Sequence, residues 1–266
     1  MNIFQEIKNV LVVLFKKNTA ILLISIVILL MLYGYHGNME LLKIMIPDWS
    51  YPGIDTDTRM PIIAWIPWDR EFISFFGGFL LLVVIPCFII RFGFHENLSE
   101  YGLGWPVKEN RKAALVLFLT LALGSAIPFY FGAKDAGMQA MYPFYKTFTG
   151  LPQFLIYELS YFPFFVIIEF VFRGVILFSV TRSLGSKPDD AYAGILAIVI
   201  AMIPYCVWHI GKPATELWGT PVWGLLAGAG IYITRSIWPV LMAHWLLNIW
   251  LDGWILHNLG LAPFTK

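Results

Sequence analysis

The sequence predicts an all-α, polytopic transmembrane helical bundle of about seven spans with an N-terminal interfacial helix. Three observations point there: 59% of the 266 residues are hydrophobic, only 13% are charged, and long apolar runs recur along the whole chain. A soluble domain carries roughly 25% charged residues, so a water-soluble globule is excluded. Two cysteines cannot make a disulfide framework, and Cys87 and Cys206 both sit in apolar runs, where they read as small core hydrophobes. A net charge of +1 with 17% aromatics excludes a disordered chain and offers no clustered basic face for nucleic acid.

A span needs about 20 mostly apolar residues, and hydrocarbon accepts only helices or closed barrels because every backbone polar group must be satisfied internally. Seven runs qualify, at roughly 19–35, 71–91, 112–132, 153–181, 190–209, 216–234 and 236–257. All are too continuously apolar for the alternating strands of a membrane barrel. Ahead of the first, Ile3, Ile7, Val10 and Leu14 recur at helical spacing beside Gln5, Glu6 and Lys8, which fits a helix lying on the membrane surface over 1–18. Tyr33, Gly34, Tyr35 and His36 make no small-residue cleavage site, so the first run reads as a retained anchor.

Pro47, Trp49, Pro52, Pro61, Trp65, Pro67 and Trp68 mark an outer loop over 36–70, with Trp rings at headgroup level. The expected organisation is the interfacial helix 1–18, an N-terminal transmembrane region 19–150 containing that loop, and a core 151–266. With the N-terminus cytoplasmic, the inner side receives Lys8, Lys16, Lys17, Arg91, Lys108, Arg111, Lys112, Arg182, Lys187 and Arg235. The outer side receives Lys43, Arg59, Arg70, Lys134, Lys146, Lys212 and Lys266, so ten cations face seven and the N-terminus is expected inside.

Ionisable groups at bilayer depth cost about 2.5–3.5 kcal/mol each on insertion scales, which makes the polar residues of the later runs functional candidates. They are Glu158, Glu169 and Arg173 on the fourth run, His209 at the end of the fifth, and His244, Asn248 and Asp252 on the seventh. Glu169 and Arg173 are four apart and can pair on one helical face. Glu158 lies three turns earlier on nearly the same face, and His244 and Asn248 repeat the four-residue spacing. A carboxylate and imidazoles in a partly dry pocket can deprotonate water, while an amide donates to the oxyanion formed when that water attacks a carbonyl. Two His and one carboxylate also make a zinc set, but no H-E-x-x-H helix is present, so zinc ranks below a metal-free mechanism and no cofactor is expected. Gly224, Gly228 and Gly230 carry a small-xxx-small spacing that reads as close helix packing.

In order and spacing these residues resemble the motifs of the CAAX protease and bacteriocin-processing family, intramembrane endopeptidases related to the Ras-converting CAAX endoprotease. Ile168-Glu169-Phe170-Val171-Phe172-Arg173 is similar to the family's E-E-x-x-x-R, Tyr205-Cys206-Val207-Trp208-His209 to its aromatic-x-x-x-His, and His244-Trp245-Leu246-Leu247-Asn248 to its H-x-x-x-N. The resemblance covers about 153–250. It departs at Ile168, where the family places the first Glu, its water-activating base. The resemblance implies peptide-bond hydrolysis in the membrane with Glu169, His209, His244 and Asn248 as the catalytic set. Glu169 would act as base or as support for the site, with Arg173 and Glu158 supporting. The expected partners are a peptide or membrane-protein substrate and the lipid bilayer of the cell membrane. The alternative is a non-catalytic member of the same fold that acts as a membrane scaffold or regulator.

Overall fold

The computed structural model describes residues 17–37, 66–184 and 191–264. The interfacial helix expected over 1–18 and most of the loop expected over 36–70 lie outside them. Among the described residues eight longer helical elements follow one another, with a short 3-10 turn at Leu98–Tyr101 between the second and third, and no strand occurs. They are α1 (Asn18–Gly37), α2 (Asp69–Gly93), α3 (Lys108–Gly132), α4 (Ala136–Met141), α5 (Leu151–Ser183), α6 (Ala191–Trp208), α7 (Ala214–Thr234) and α8 (Trp238–Leu259).

Each of the seven apolar runs is one of these helices, with α4 a short addition in the link between the third and fourth. Helices α2, α3, α5 and α6 are long and apolar enough to cross a membrane, whereas the apolar part of α1, Asn18–Tyr33, is shorter. Helices α7 and α8 have the length, at 21 and 22 residues. Their Gly, Trp, His and Asn content dilutes their hydropathy, and those same residues build the site.

Helix α5 is the axis of the bundle. Its apolar stretch is 89% buried, against 11% for α3 and 33% for α2 and α6. Helices α1, α2, α6 and α8 pack around it, so it has almost no face left for lipid. Helix α3 instead leaves Leu115, Leu119 and Leu123 exposed along one side, as a lipid-facing surface should. Burial on all sides explains how α5 can carry Glu158, Glu169 and Arg173: each is shielded from hydrocarbon by neighbouring helices.

Helix α5 is not uniform. It is α-helical over Leu151–Ile168, widens to a π-helix over Glu169–Ile176, and returns to α geometry over Leu177–Ser183. Such widening is frequent at functional sites, and here it begins at the first charged residue of the motif. Gly174 lies inside it because a Cβ there would stand 2.6 Å from the Tyr101 carbonyl oxygen, so only glycine lets the 98–101 turn approach α5. Gly224 and Gly228 seat α7 against Met202 and Ile198 of α6, in agreement with the packing role read from their spacing. Trp68 is buried at the start of α2, where its indole N–H donates to Ser160 Oγ at 2.9 Å.

Candidate active site

The charged centre of α5 is a closed arrangement. Glu169 is fully buried, and Arg173, one turn on, places Nη1 3.2 Å from both carboxylate oxygens. The guanidinium stacks 3.9 Å from the centre of the Tyr205 ring on α6, which fixes it further. From α8, His244 brings Nδ1 to 2.7 Å from Glu169 Oε1. A carboxylate can only accept, so Nδ1 is the protonated nitrogen of His244 and Nε2 is the atom left for chemistry.

His209 is set by a different device. It follows the last turn of α6, and its Nδ1 donates to the Tyr205 carbonyl oxygen at 2.7 Å. A carbonyl oxygen also only accepts, so the neutral ring carries its lone pair on Nε2. That nitrogen stands 3.6 Å from Glu216 Oε1, in the first turn of α7, where the unsatisfied N–H groups of a helix start favour a negative charge. Glu216 is held by two further groups: Lys212 Nζ donates to Oε1 at 2.8 Å and the Tyr142 hydroxyl donates to Oε2 at 2.8 Å. Lys212 Nζ also donates to the Tyr142 oxygen at 2.7 Å, closing a ring of three.

A cavity of about 200 Å³ opens between these elements. His209, Glu216, His244 and Asn248 stand on its wall, and Phe129, Phe164 and Phe165 make much of the rest apolar. Glu169 does not line it. Its neighbour Ile168 does, because adjacent helical positions are rotated by about 100°. Ile168 therefore faces the cavity as an alkyl group, and Glu169 faces Nδ1 of His244.

Asn248 is placed with His244 on the cavity wall, yet its amide nitrogen is already used. Nδ2 lies 3.2 Å from Glu158 Oε2 and 3.2 Å from Asp252 Oδ2. Glu158 thus joins Asn248 and Asp252 on α8. No three His, Cys, Asp or Glu side chains among the described residues are grouped to hold a metal ion.

Sequence reasoning missed Glu216, Lys212 and Tyr142. Glu216 begins the sixth apolar run and so looks like an ordinary boundary charge. The signal available was its i,i+4 spacing from Lys212, seven residues beyond His209.

Residues 151–250, from the start of α5 to past Asn248 on α8, match the family model described as Rce1-like, type II CAAX prenyl endopeptidase Rce1-like. The similarity covers the site-bearing helices α5 to α8 and not the rest of the chain. The match contains Glu158, Ile168, Glu169, Arg173, His209, Glu216, His244 and Asn248. No curated protein and no solved structure matches the chain. The apolar helices and this similarity together indicate an integral membrane protein.

Proposed function

We propose that the protein is an intramembrane endopeptidase in which His209 activates water and His244 stabilises the oxyanion. The observation that carries this reading is that two imidazoles open onto one apolar-walled cavity, each with Nδ1 tied to an acceptor and Nε2 left free to react. His209 Nε2 takes the proton of a water that attacks the peptide carbonyl. His244 donates Nδ1–H to the Glu169 carboxylate, and it is the doubly protonated ring whose Nε2–H donates to the developing oxyanion. Glu169 is support for the site: it is buried behind His244 with both oxygens on Arg173. Asn248 has its amide nitrogen on Glu158 and Asp252, so it serves as a fixed polar wall and His244 is the principal oxyanion donor.

The matching family is named for CAAX prenyl endopeptidases, and a cavity with Phe129, Phe164 and Phe165 on its wall suits a peptide attached to an apolar chain. The substrate class we propose is therefore a membrane-associated protein or peptide presented from the lipid. The charge asymmetry of the sequence supports a cell-membrane protein with a cytoplasmic N-terminus. A second reading, a non-catalytic scaffold, draws on one observation: Ile168 stands on the cavity wall in place of a carboxylate.

Proteoliposomes holding the full chain, given an internally quenched peptide with a farnesylated CAAX end or a free-cysteine control, separate the two readings. A new amine and carboxyl terminus in the products, detected by mass spectrometry and lost in His244→Ala, is the result expected. Binding of the farnesylated probe with no cleavage favours the scaffold and contradicts the peptidase.

A further inference from the structure

We infer that Glu216 supplies the carboxylate that position 168 lacks, holding the reacting water together with His209. This assignment rests on the peptidase reading above. Three observations on different elements carry it. Ile168 of α5 faces the cavity and Glu169 does not, so α5 presents no carboxylate to the reaction space at this point. Glu216 of α7 lines the same cavity. And its Oε1 is 3.6 Å from His209 Nε2, the one nitrogen of that ring the Tyr205 carbonyl leaves free.

Two acceptors at that separation have no hydrogen between them, and a polar gap beyond about 3.5 Å is the place to expect a bridging water. One water can donate to both, which turns its own lone pair toward the cavity. In the reaction that water gives a proton to His209 Nε2 while its oxygen bonds the carbonyl carbon. The imidazolium forms against the Glu216 carboxylate. When the tetrahedral intermediate collapses, the C–N bond breaks and the leaving nitrogen takes the same proton from Nε2. The ring ends neutral, and the products are a carboxyl group and an amine.

Lys212 and Tyr142 fit this role. Lys212 Nζ shares Oε1 at 2.8 Å and Tyr142 fixes Oε2 at 2.8 Å, so the carboxylate is aimed from both oxygens. The three could also be only a clasp joining the start of α7 to the link before α5. A clasp needs no carboxylate facing the base nitrogen across the cavity, and that feature decides what the test must read.

The test uses the full chain in proteoliposomes with the farnesylated quenched peptide. Glu216→Gln is expected to lower kcat about 100-fold, the lower range for a lost acid–base group, with KM changed less than about twofold. Glu216→Asp should keep a measurable part of the rate. Adding Ile168→Glu to Glu216→Gln should recover at least about tenfold, because it restores a carboxylate to the same cavity wall. Where Glu216→Gln alone fails to fold because Lys212 loses its partner, Glu216→Gln/Lys212→Met removes both charges and reads the same loss. A parent that cleaves while the folded Glu216→Gln variant cleaves equally overturns this assignment and leaves the peptidase reading standing. A loss of rate that Ile168→Glu does not relieve also counts against it. A parent inactive on both the farnesylated and the free-cysteine probe overturns the peptidase reading, and this assignment falls with it.

Discussion

His244 Nδ1 lies 2.7 Å from Glu169 Oε1, across 75 residues of sequence, and the same carboxylate keeps both oxygens 3.2 Å from Arg173 Nη1. In the mechanism proposed above, Glu169 holds His244 through its Nδ1–H and balances the charge of the doubly protonated ring. Glu169→Gln keeps the shape but removes that charge. We expect kcat on the farnesylated peptide to fall by about 10²–10⁴ with KM little changed, measured by steady-state fluorescence in proteoliposomes. A rate equal to the parent's would show that His244 does not act through this carboxylate.

Arg173 tests stability where His244 tests chemistry. Arg173→Ala leaves the buried Glu169 charge without its main partner, a loss of about 3–5 kcal/mol for a broken buried pair. His244→Ala removes a group that is 15% exposed on a cavity wall and should cost far less. Thermal unfolding in detergent should therefore place Arg173→Ala well below His244→Ala; equal midpoints contradict the pairing.

Much of the bundle was legible in the sequence because hydrocarbon imposes long apolar helices, and all seven runs are helices with ends shifted by a few residues. His244 and Asn248, four residues apart in the sequence, both stand on the cavity wall. Less legible was which of Ile168 and Glu169 faces that cavity. The two are about 100° apart on the helix, and which of them meets the cavity depends on how α5 is rotated against its neighbours. Glu216 was hidden for another reason: a carboxylate at the end of an apolar run is the normal place for a charge, and only the turn between α6 and α7 brings it to His209.

Outside the spans, Glu96 clasps the link after α2 to the end of α5. Partial burial pushes its carboxyl up, but hydrogen bonds from Asn18 and Tyr101 and the Arg182 guanidinium at 2.8 Å outweigh this and hold it below the ordinary value. A depressed carboxyl contributes stability that is present above its unfolded value, about 4.3, and is lost as pH falls through the folded one. The protection of residues 94–101 against hydrogen exchange, corrected for the intrinsic rate at each pH, should fall between about pH 5 and about pH 3, and Glu96→Gln should flatten that dependence. Unchanged protection across the interval in the parent would show that the clasp adds nothing.

The α6–α7 seam gives a purely steric test. A Cβ at Gly228 would lie 2.8 Å from Ile198 Cγ2, whereas one at Gly77 meets nothing within 4 Å. Gly228→Val should therefore destabilise by about 1–3 kcal/mol through overpacking, and Gly77→Ala should be neutral or slightly stabilising through helix propensity. Thermal midpoints of the two variants check the contrast, and a Gly228→Val midpoint equal to the parent's would mean the helices are not held this close.

The central claim is that His209 Nε2 is the base, and the most direct measurement is the kcat of His209→Ala against the parent on the farnesylated quenched peptide, with both proteins shown folded by their unfolding midpoints. The expected result is a loss of at least about 100-fold with KM nearly unchanged. Cleavage by His209→Ala at the parental rate, with the same product termini, would contradict the account.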